Sequence, residues 1–279
     1  MSDRSDGIIA FGDEVGLPAI LQSLDEVLGK RPRTCVVDPN REAIQNWIAD
    51  HAANLRVLLH PKKSQRDRFV EMMTELNPSL GIVFSYSRIL WPQLIDIFPL
   101  GVVNLHGGKL PEYRGANVLQ WAIINGENEI AMTLHYVDAG IDTGPVIDEL
   151  PVPIGHDDTA LVVRERSIKS AKMILAEWLP KLIVGKVDAR PQDKSRAKTW
   201  PRRKPEDGLI DWSWPDEKIR NLIRALVKPW PGAYYIDRHG RKTIIDRPLS
   251  LEEVVALRRK YKASSPAQAN IKALTQVVD

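Results

Sequence analysis

Three polar side chains carry the chemistry that this sequence could support: Asn104, His106 and Asp142. Asn104 and His106 end a short apolar run, and because side chains alternate along a strand they point to the same side. A carboxamide and an imidazole side by side can hold the oxyanion of a tetrahedral intermediate. Asp142 follows in a glycine-rich loop, from which its carboxylate can orient the imidazole and help to move the proton of an attacking amine. The pattern predicts acyl transfer, without a serine or cysteine nucleophile if the acyl group arrives on a carrier.

The same residues also allow a purely structural interpretation. Asn-x-His at a strand end can cap a turn, and Asp142-Thr143-Gly144 is an ordinary turn sequence. Each residue taken alone fits a turn better than a catalytic role. All of them together, with the run Leu-Pro-Glu-Tyr-Arg-Gly at 110–115 between them, favour the catalytic interpretation.

A sheet is needed to position these side chains, and the N-terminal half alternates short apolar runs with amphipathic stretches. We expect strands at 7–11, 34–37, 56–59, 80–85 and 101–106, and helices at 13–28, 39–53, 64–76 and 92–98. Asp38 is the expected N-cap of the second helix. This alternation predicts an α/β fold with a doubly wound, Rossmann-like and mostly parallel sheet. Ligands bind such sheets at the carboxyl ends of the strands, where Asn104 and His106 are expected.

The second half continues the fold and then changes character. After a helix at 116–125, alternating strands at 129–137 and 146–154 extend the sheet with some antiparallel pairing. A long helix follows, capped by Asp157 or Asp158 and ending near residue 182. A hairpin at 233–236 and 242–246, a helix opened by a Ser250–Glu253 capping box and a loosely held tail predict a small C-terminal subdomain. We expect a catalytic domain at 1–199 and this subdomain at 200–279.

The chain resembles a known enzyme family over residues 80–235. The resemblance rests on Asn104-Leu105-His106, on Leu110-Pro111-Glu112-Tyr113-Arg114-Gly115-Ala116 and on Gly140-Ile141-Asp142-Thr143-Gly144. These motifs are similar to those of the 10-formyltetrahydrofolate-dependent formyltransferases, which include methionyl-tRNA formyltransferase, glycinamide ribonucleotide transformylase and the sugar-nucleotide N-formyltransferases. The resemblance implies that Asn104, His106 and Asp142 are catalytic. Many relatives have Ser-Leu-Leu-Pro where this chain has Gly108-Lys109-Leu110-Pro111.

The resemblance also implies a folate pocket with two walls, formed by the loop after the fourth strand and the loop before Asp142. The implied cofactor is N10-formyltetrahydrofolate as formyl donor, with no metal. Its expected binding residues are Tyr86, Ser87, Arg88, Ile89, Leu90, Val137, Asp138, Ala139, Gly140 and Ile141. Ile89 and Leu90 are equally expected to be core residues, since a flat heterocycle needs an apolar slot.

Residues 200–212, and residues 219–225 with 229–234 after them, resemble the region where the family's catalytic domain meets its C-terminal piece. The expected substrate-binding residues are Lys109, Tyr113, Arg114, Gly115, Asp211, Trp212 and Arg224, the last three framing the amine-bearing substrate. The tryptophans of this region could instead seal a domain junction. Residues 190–204 are rich in lysine and arginine, and they are either a solvated linker or an arm near an anionic substrate.

Composition excludes several classes of protein. The chain has 279 residues, 43% of them hydrophobic, and its net charge of +3 gives no reason to expect nucleic acid as a partner. Its single cysteine, Cys35, fits a buried strand residue in a reducing cytoplasm. No signal peptide, apolar run of membrane-spanning length or metal-ligand spacing is present, and Gly12 and Gly16 do not form a dinucleotide fingerprint. We expect a cytoplasmic enzyme with no membrane partner.

Length favours one formyl acceptor over the others. The tRNA enzyme resembles this chain to Tyr234 and continues into a five-stranded barrel, for which residues 233–279 are too few. We therefore expect a nucleotide-linked amino sugar as substrate, in O-antigen or cell-surface glycan biosynthesis, and a homodimer. Methionyl-tRNA and hydroxyornithine are alternative acceptors, and water, as in a hydrolase, is a third. A folate- or sugar-binding module without turnover is the alternative that is not an enzyme.

Overall fold

The computed structural model describes residues 7–30, 32–51, 54–185, 187–237 and 239–264. These residues group into two compact units. The first unit contains the described part of Met1–Val118 with Glu129–Pro153 and Arg164–Pro201, and the second contains Leu119–Asn128, Ile154–Val163 and the described part of Arg202–Asp279. We predicted a loosely held tail from Ser264. Ser264 is the last residue of a helix, and the rest of that tail, from residue 265 onward, lies outside the described residues.

A seven-stranded sheet organises the first unit. In chain order the strands are β1 Ile8–Gly12, β2 Thr34–Val37, β3 Arg56–Leu59, β4 Leu80–Phe84, β5 Val102–His106, β6 Arg114–Gly115, β7 Glu129–Tyr136, β8 Val146–Pro153 and β9 Thr199–Trp200. The sheet order is β3-β2-β1-β4-β5-β7-β8, while β6 and β9 pair separately. Strands β1 to β5 run parallel, and β7 and β8 are antiparallel. The predicted α/β fold with its mostly parallel sheet is therefore confirmed, and the order reverses between β1 and β4 as in doubly wound folds.

Helices connect these strands. They are α1 Gly16–Leu28, α2 Glu42–His51, α3 Arg66–Glu75, α4 Pro92–Ile95, α5 Val118–Asn125 and α6 Ala160–Val184, with short 3₁₀ turns at Lys63–Gln65 and Lys194–Arg196. Because α6 begins at Ala160, the position before it is Thr159 and not either of the expected aspartate caps. The Asp158 carboxylate instead accepts a hydrogen bond from the Gly155 N–H group at 2.6 Å.

The expectation that Asp38 caps a helix beginning at residue 39 is wrong. The helix begins at Glu42, and Asp38 lies at the end of β2 with a carboxylate that faces the loop after β4. Arg88 donates to both carboxylate oxygens at 2.8 Å, and the Ser87 hydroxyl donates to one of them at 2.6 Å. One oxygen of the same buried carboxylate also accepts a hydrogen bond of 2.9 Å from the Asn40 N–H group, in the turn that precedes the helix.

The central strands form the core of the first unit. Every residue of β1 and β4 is buried, as expected for parallel strands covered on both faces, and Cys35 is buried on β2 as predicted. One cluster joins Phe11 and Val36 to Phe69, Leu90 and further apolar residues. Since Leu90 belongs to it, this packing also fixes the end of the loop that follows β4.

The second unit contains α7 Asp216–Ala225, the antiparallel hairpin of β10 Ala233–Ile236 and β11 Lys242–Ile245, and α8 Leu251–Ser264. The predicted hairpin is confirmed. The predicted capping box is also confirmed, because the Ser250 hydroxyl accepts from the Glu253 N–H group and the Glu253 carboxylate accepts from the Ser250 N–H group. None of the helices in the described part of the chain combines the length and the hydropathy that a membrane span requires.

Candidate active site

The carboxyl end of β5 presents Asn104 and His106 on one side, because β5 is paired on both edges and its side chains must alternate. His106 is buried and Asn104 is half-buried. Asp142, which comes from the loop between β7 and β8, reaches both of them. The structure thus brings the three predicted catalytic residues into one cluster.

The hydrogen bonds of His106 define its tautomer. Its Nε2 atom lies 2.5 Å from the backbone carbonyl oxygen of Tyr113. A carbonyl oxygen can only accept, so Nε2 carries a proton. Nδ1 is therefore the nitrogen that can gain or lose one, and it lies 3.5 Å from Oδ2 of Asp142.

Asp142 is held in an unusual backbone conformation. Its φ angle is +51°, in the left-handed region that aspartate tolerates better than most residues. Oδ2 accepts a hydrogen bond of 2.8 Å from the Gly115 N–H group. Burial alone would raise the pKa of this carboxyl, but the charge of His106, the contact with His135 and the Gly115 N–H group outweigh it and hold the pKa well below its usual range. Asp142 is therefore ionised at neutral pH.

A second histidine, His135, belongs to the cluster and was missed by the sequence analysis. It lies on β7 directly opposite Asn104, and its Nε2 atom is 3.1 Å from Nδ2 of Asn104 and 3.6 Å from Oδ1 of Asp142. Nδ1 donates to the Tyr136 carbonyl at 2.7 Å. The neutral ring consequently offers a lone pair to Asn104, and the cationic ring offers an N–H group to Asp142. The alternation of the predicted strand at 129–137 was the available signal, but only the strand register places His135 opposite Asn104.

Gln192 is the other residue that the sequence analysis missed. Its side-chain amide donates to the backbone carbonyls of Asp142 and Gly144 at 2.9 and 2.7 Å. Its side-chain oxygen accepts from Nε and Nη2 of Arg114 at 3.0 and 2.8 Å. Gln192 thus joins the loop of Asp142 to the strand β6.

The first part of the basic segment, residues 190–200, is not a solvated linker. Its β9 strand pairs with β6, Arg190 exchanges backbone hydrogen bonds with Val146, and Trp200 stacks on Tyr113 with ring centroids 5.4 Å apart. Local composition could not show this, because every one of these partners is distant in the sequence. The segment therefore forms part of the wall around His106 and Asp142.

The predicted folate-binding loop after β4 has two kinds of residue. Tyr86, Ser87 and Arg88 have partners inside the protein: the Tyr86 hydroxyl is 2.8 Å from Nδ1 of His60, and Ser87 and Arg88 bind Asp38. Leu90 is buried in the core, whereas Ile89 has 66% of its surface exposed. An exposed apolar side chain between anchored neighbours is available to a ligand, and the folate-binding role of these residues stays a prediction.

The other predicted wall, the segment from Val137 to Ile141, is anchored at its start. The Val137 N–H group donates to the Val102 carbonyl at 2.7 Å. Asp138 accepts hydrogen bonds from the Gly140 N–H group and the Thr143 hydroxyl. Ala139 and Gly140 are exposed, and Ile141 has 53% of its surface exposed. The segment therefore offers a second apolar side chain to solvent near Asp142.

The predicted substrate-binding residues divide among several environments. Lys109 is exposed, whereas Tyr113 and Arg114 are buried with Trp200 and Gln192 as partners, and Gly115 uses its N–H group to hold Asp142. The remaining three lie in the second unit, where each has local contacts. Asp211 accepts from Ser213, Trp212 stacks on Tyr261, and the buried Arg224 donates to the carbonyls of Gly155 and Asp158. These contacts explain the positions of the side chains, and their substrate-binding role stays a prediction.

In the described part of the chain, no group of three or more histidine, cysteine, aspartate or glutamate residues is arranged to hold a metal ion. The chemistry that this site can perform with its own residues is stabilisation of an oxyanion beside a carboxylate and an imidazole.

Several known proteins share this fold. A 4-N formyltransferase from Francisella tularensis is 18% identical with a TM-score of 0.72, and the match covers 87% of this chain and 97% of that one. A sugar N-formyltransferase from a Shewanella species is 19% identical with a TM-score of 0.70 and the same coverage of 87% and 97%. An N-formyltransferase from Helicobacter canadensis, in complex with folinic acid and dTDP-3-aminofucose, is 20% identical with a TM-score of 0.60, covering 78% of each chain.

Sequence models of whole families give the more specific result. Residues 202–266 match the model described as formyl transferase, C-terminal domain. Residues 26–179, more than half of the chain, match the model described as formyl transferase, and the predicted enzyme class is thereby confirmed. The chain belongs to the formyl transferase family.

Proposed function

We propose that this enzyme transfers the formyl group of N10-formyltetrahydrofolate to the amine of a nucleotide-linked amino sugar. The observation that carries the proposal is the convergence of two polar groups on one carboxylate. Nδ2 of Asn104 and Nδ1 of His106 lie 3.4 and 3.5 Å from the two oxygens of Asp142. An oxyanion donor, an imidazole and a base beside one another are the groups that formyl transfer to an amine requires.

The first step is attack of the neutral amine on the formyl carbon, which forms the new C–N bond and turns the carbonyl oxygen into an oxyanion. Asn104 has two N–H bonds on Nδ2. One donates to His135 at 3.1 Å, and the other, 3.4 Å from Asp142, makes the weaker contact and can turn to the oxyanion. Protonated His106 supplies a second donor through Nδ1.

The attacking amine must also lose a proton. The ionised carboxylate of Asp142 or an ordered water takes up that proton in passing, because the lowered pKa of Asp142 makes it too weak a base to keep the proton. Cleavage of the bond between the formyl carbon and N10 then restores the carbonyl, and N10 takes up a proton as tetrahydrofolate leaves. Asp142 also faces Nδ1 of His106 at 3.5 Å, from where its carboxylate orients the imidazole while the oxyanion exists.

Two observations support folate as the donor. The exposed Ile89 and Ile141 side chains come from the two loops that the family resemblance assigns to the pterin, and both loops are anchored by hydrogen bonds. The similar enzyme from Helicobacter canadensis was crystallised with folinic acid. The ten residues of these two loops are therefore our proposed donor site.

The acceptor is proposed from two further observations. The Helicobacter canadensis structure also contains dTDP-3-aminofucose, and the Shewanella enzyme is described as a sugar N-formyltransferase. In this chain, Lys109 is an exposed cation directly after the Gly107-Gly108 pair that follows His106, where it can meet an anionic nucleotide. We propose that Lys109 contacts this substrate. We also propose that the catalytic domain ends near residue 199 and that the enzyme is a cytoplasmic homodimer.

The test is formyl transfer by purified protein. N10-formyltetrahydrofolate is supplied with a panel of amino-sugar nucleotides, formyl-acceptor tRNA and hydroxyornithine, and both tetrahydrofolate release and the formylated product are measured. His106→Asn is the negative control. Turnover with an amino-sugar nucleotide is the expected result. Turnover only with tRNA or hydroxyornithine would overturn the acceptor, and folate binding without turnover on any acceptor would overturn the transfer itself.

A further inference from the structure

The side chain of Gln192 closes the loop that carries Asp142. Its amide group donates to the carbonyls of Asp142 and Gly144, on both sides of Thr143. The backbone turns sharply between these contacts, since the φ angle of Asp142 is +51°. The left-handed conformation of a residue other than glycine persists when surrounding contacts determine it, and Gln192 supplies two such contacts.

Arg114 fixes the orientation of the Gln192 amide. Two guanidinium N–H groups donate to the side-chain oxygen of Gln192, so the amide nitrogen must point toward the Asp142 loop. Arg114 is buried and belongs to β6, whose next residue, Gly115, donates its N–H group to the Asp142 carboxylate. The same two-residue strand therefore holds Asp142 twice, directly at the carboxylate and through Gln192 at the backbone.

The chain on either side of Gln192 is itself anchored. Before it, Arg190 and Val146 exchange two backbone hydrogen bonds of 2.8 Å. After it, β9 pairs with β6 and Trp200 stacks on Tyr113, whose carbonyl accepts from His106. Gln192 is thus held between two fixed points, as a group must be if it is to position another with precision.

We propose that Gln192 is a positioning residue that sets Asp142 against His106 for formyl transfer. This role rests on the proposed function, since it acts through the proposed catalytic pair. Gln192 does not need to touch either substrate. Its loss should therefore lower kcat more than it changes KM for the donor or the acceptor.

Two variants separate the contacts. Gln192→Met keeps the length of the side chain and removes both donations and the acceptor for Arg114. Gln192→Glu keeps an acceptor for Arg114. It also replaces the amide donor by a carboxylate oxygen, which repels the carbonyl oxygens of Asp142 and Gly144. The matched control is Gln45→Glu, because Gln45 is exposed on α2 and also donates to a backbone carbonyl, that of Pro39.

Both Gln192 variants should lose activity, with kcat lower by about 10²-fold, the effect of misplacing a reacting group by about 1 Å. KM should change little, and Gln45→Glu should match the wild type. The folded fraction is measured by circular dichroism, so that kcat refers to folded protein. Wild-type kcat in folded Gln192→Met would overturn the proposal, as would a rise in KM without a change in kcat.

A structural measurement keeps this test separate from that of the proposed function. Crystal structures of the wild type and of Gln192→Met should show Asp142 leaving its left-handed conformation and separating from His106. An unchanged φ angle and an unchanged distance from Nδ1 to Oδ2 would overturn the positioning role, whatever reaction the enzyme catalyses. If the wild type transfers no formyl group, the proposed function fails, and the two crystal structures decide the role of Gln192.

Discussion

Nε2 of His106 lies 2.5 Å from the backbone carbonyl oxygen of Tyr113, and the absence of a side chain at Gly108 permits this contact. A Cβ atom at Gly108 would lie 2.5 Å from that carbonyl oxygen and 2.6 Å from Nε2 itself. The Thr133 hydroxyl, which is buried, holds the Gly108 carbonyl at 2.8 Å, so the backbone there cannot easily move aside. The lack of a side chain at Gly108 lets the Tyr113 carbonyl fix the tautomer of His106.

The first prediction is that Gly108→Ala damages both activity and stability. The added methyl group must displace the Tyr113 carbonyl or the imidazole, so we expect the free energy of unfolding to fall by about 1–3 kcal/mol, as for overpacked sites. We expect kcat to fall on the order of 10-fold, because His106 loses its fixed orientation. Urea unfolding and steady-state kinetics measure the two effects.

The adjacent glycine provides the control for this substitution. A Cβ atom at Gly107 would meet its nearest neighbour, the Met132 side chain, at 4.0 Å. Gly107→Ala should therefore retain the activity and stability of the wild type. If Gly107→Ala and Gly108→Ala had equal kcat values and equal free energies of unfolding, the contact between His106 and Tyr113 would not depend on Gly108.

Local patterns predicted those parts of the fold that depend on neighbours in sequence. The bounds of β2 and β3 were predicted correctly, and alternation placed Asn104 and His106 on one face of β5. These features follow from apolar runs that fill a buried sheet, and the run itself contains the information.

The features that were missed depend on contacts between distant residues. Asn104 meets His135 only through the register of β5 with β7, and Gln192 reaches Asp142 across 50 residues of chain. Asp38 does not cap the helix that begins at Glu42, and its carboxylate binds Arg88, which is also 50 residues away. No local pattern specifies such partners. Motifs therefore predicted that Asn104, His106 and Asp142 lie together, but they did not predict the groups that hold these residues in place.

The second prediction concerns Asn104. Asn104→Ala removes one proposed oxyanion donor and should lower kcat by roughly 10²–10³-fold. The effect on KM should be smaller, because the donor acts mainly on the charge that develops in the transition state. Asn40→Ala, at an exposed position after β2, is the matched control. A kcat within a few-fold of wild type in Asn104→Ala would remove Asn104 from the oxyanion site.

The third prediction concerns the anchor of the proposed folate loop. Asp38→Asn replaces the carboxylate that binds Arg88 through two hydrogen bonds of 2.8 Å. The loop should become less ordered, and we expect KM for the formyl donor to rise about tenfold for each 1.4 kcal/mol of ordering that is lost. Binding of tetrahydrofolate by calorimetry should weaken in parallel, with Asp50→Asn on the exposed face of α2 as control. Unchanged donor binding would argue that this loop does not contact folate.

The fourth prediction is a pH dependence of stability at His60. Burial, together with the charges of Arg88 and Arg66, lowers the pKa of His60 from 6.5 to about 4. Between these values the unfolded chain binds a proton that the folded protein does not, so His60 makes the folded protein less stable as pH falls from 6.5 to about 4. His60→Gln should show a shallower loss of unfolding free energy in this interval. His51→Gln, at an exposed histidine of α2, should keep the wild-type slope, and identical slopes for all three proteins would contradict the prediction.

The fifth prediction joins catalysis and stability at Asp142. Asp142→Asn keeps a group of the same shape but removes the charge beside Nδ1 of His106, so kcat should fall by roughly 10²-fold or more.

The lowered pKa of Asp142 also has a stability consequence with a definite sign. As pH falls through the ordinary carboxyl pKa of 3.8, Asp142 gains a proton in the unfolded chain before it does so in the folded protein. The ionised carboxylate therefore adds to the free energy of unfolding at neutral pH, and this contribution is lost as pH falls through that range. Urea unfolding from pH 7 down to about pH 3 measures this effect. The unfolding free energies of wild type and Asp142→Asn should differ by a constant amount at first, and below pH 3.8 the wild type should lose stability relative to the variant. A constant difference throughout would mean that Asp142 is not stabilised in its ionised form by His106, His135 and Gly115, and the proposed coupling of His106 to Asp142 would lose its support.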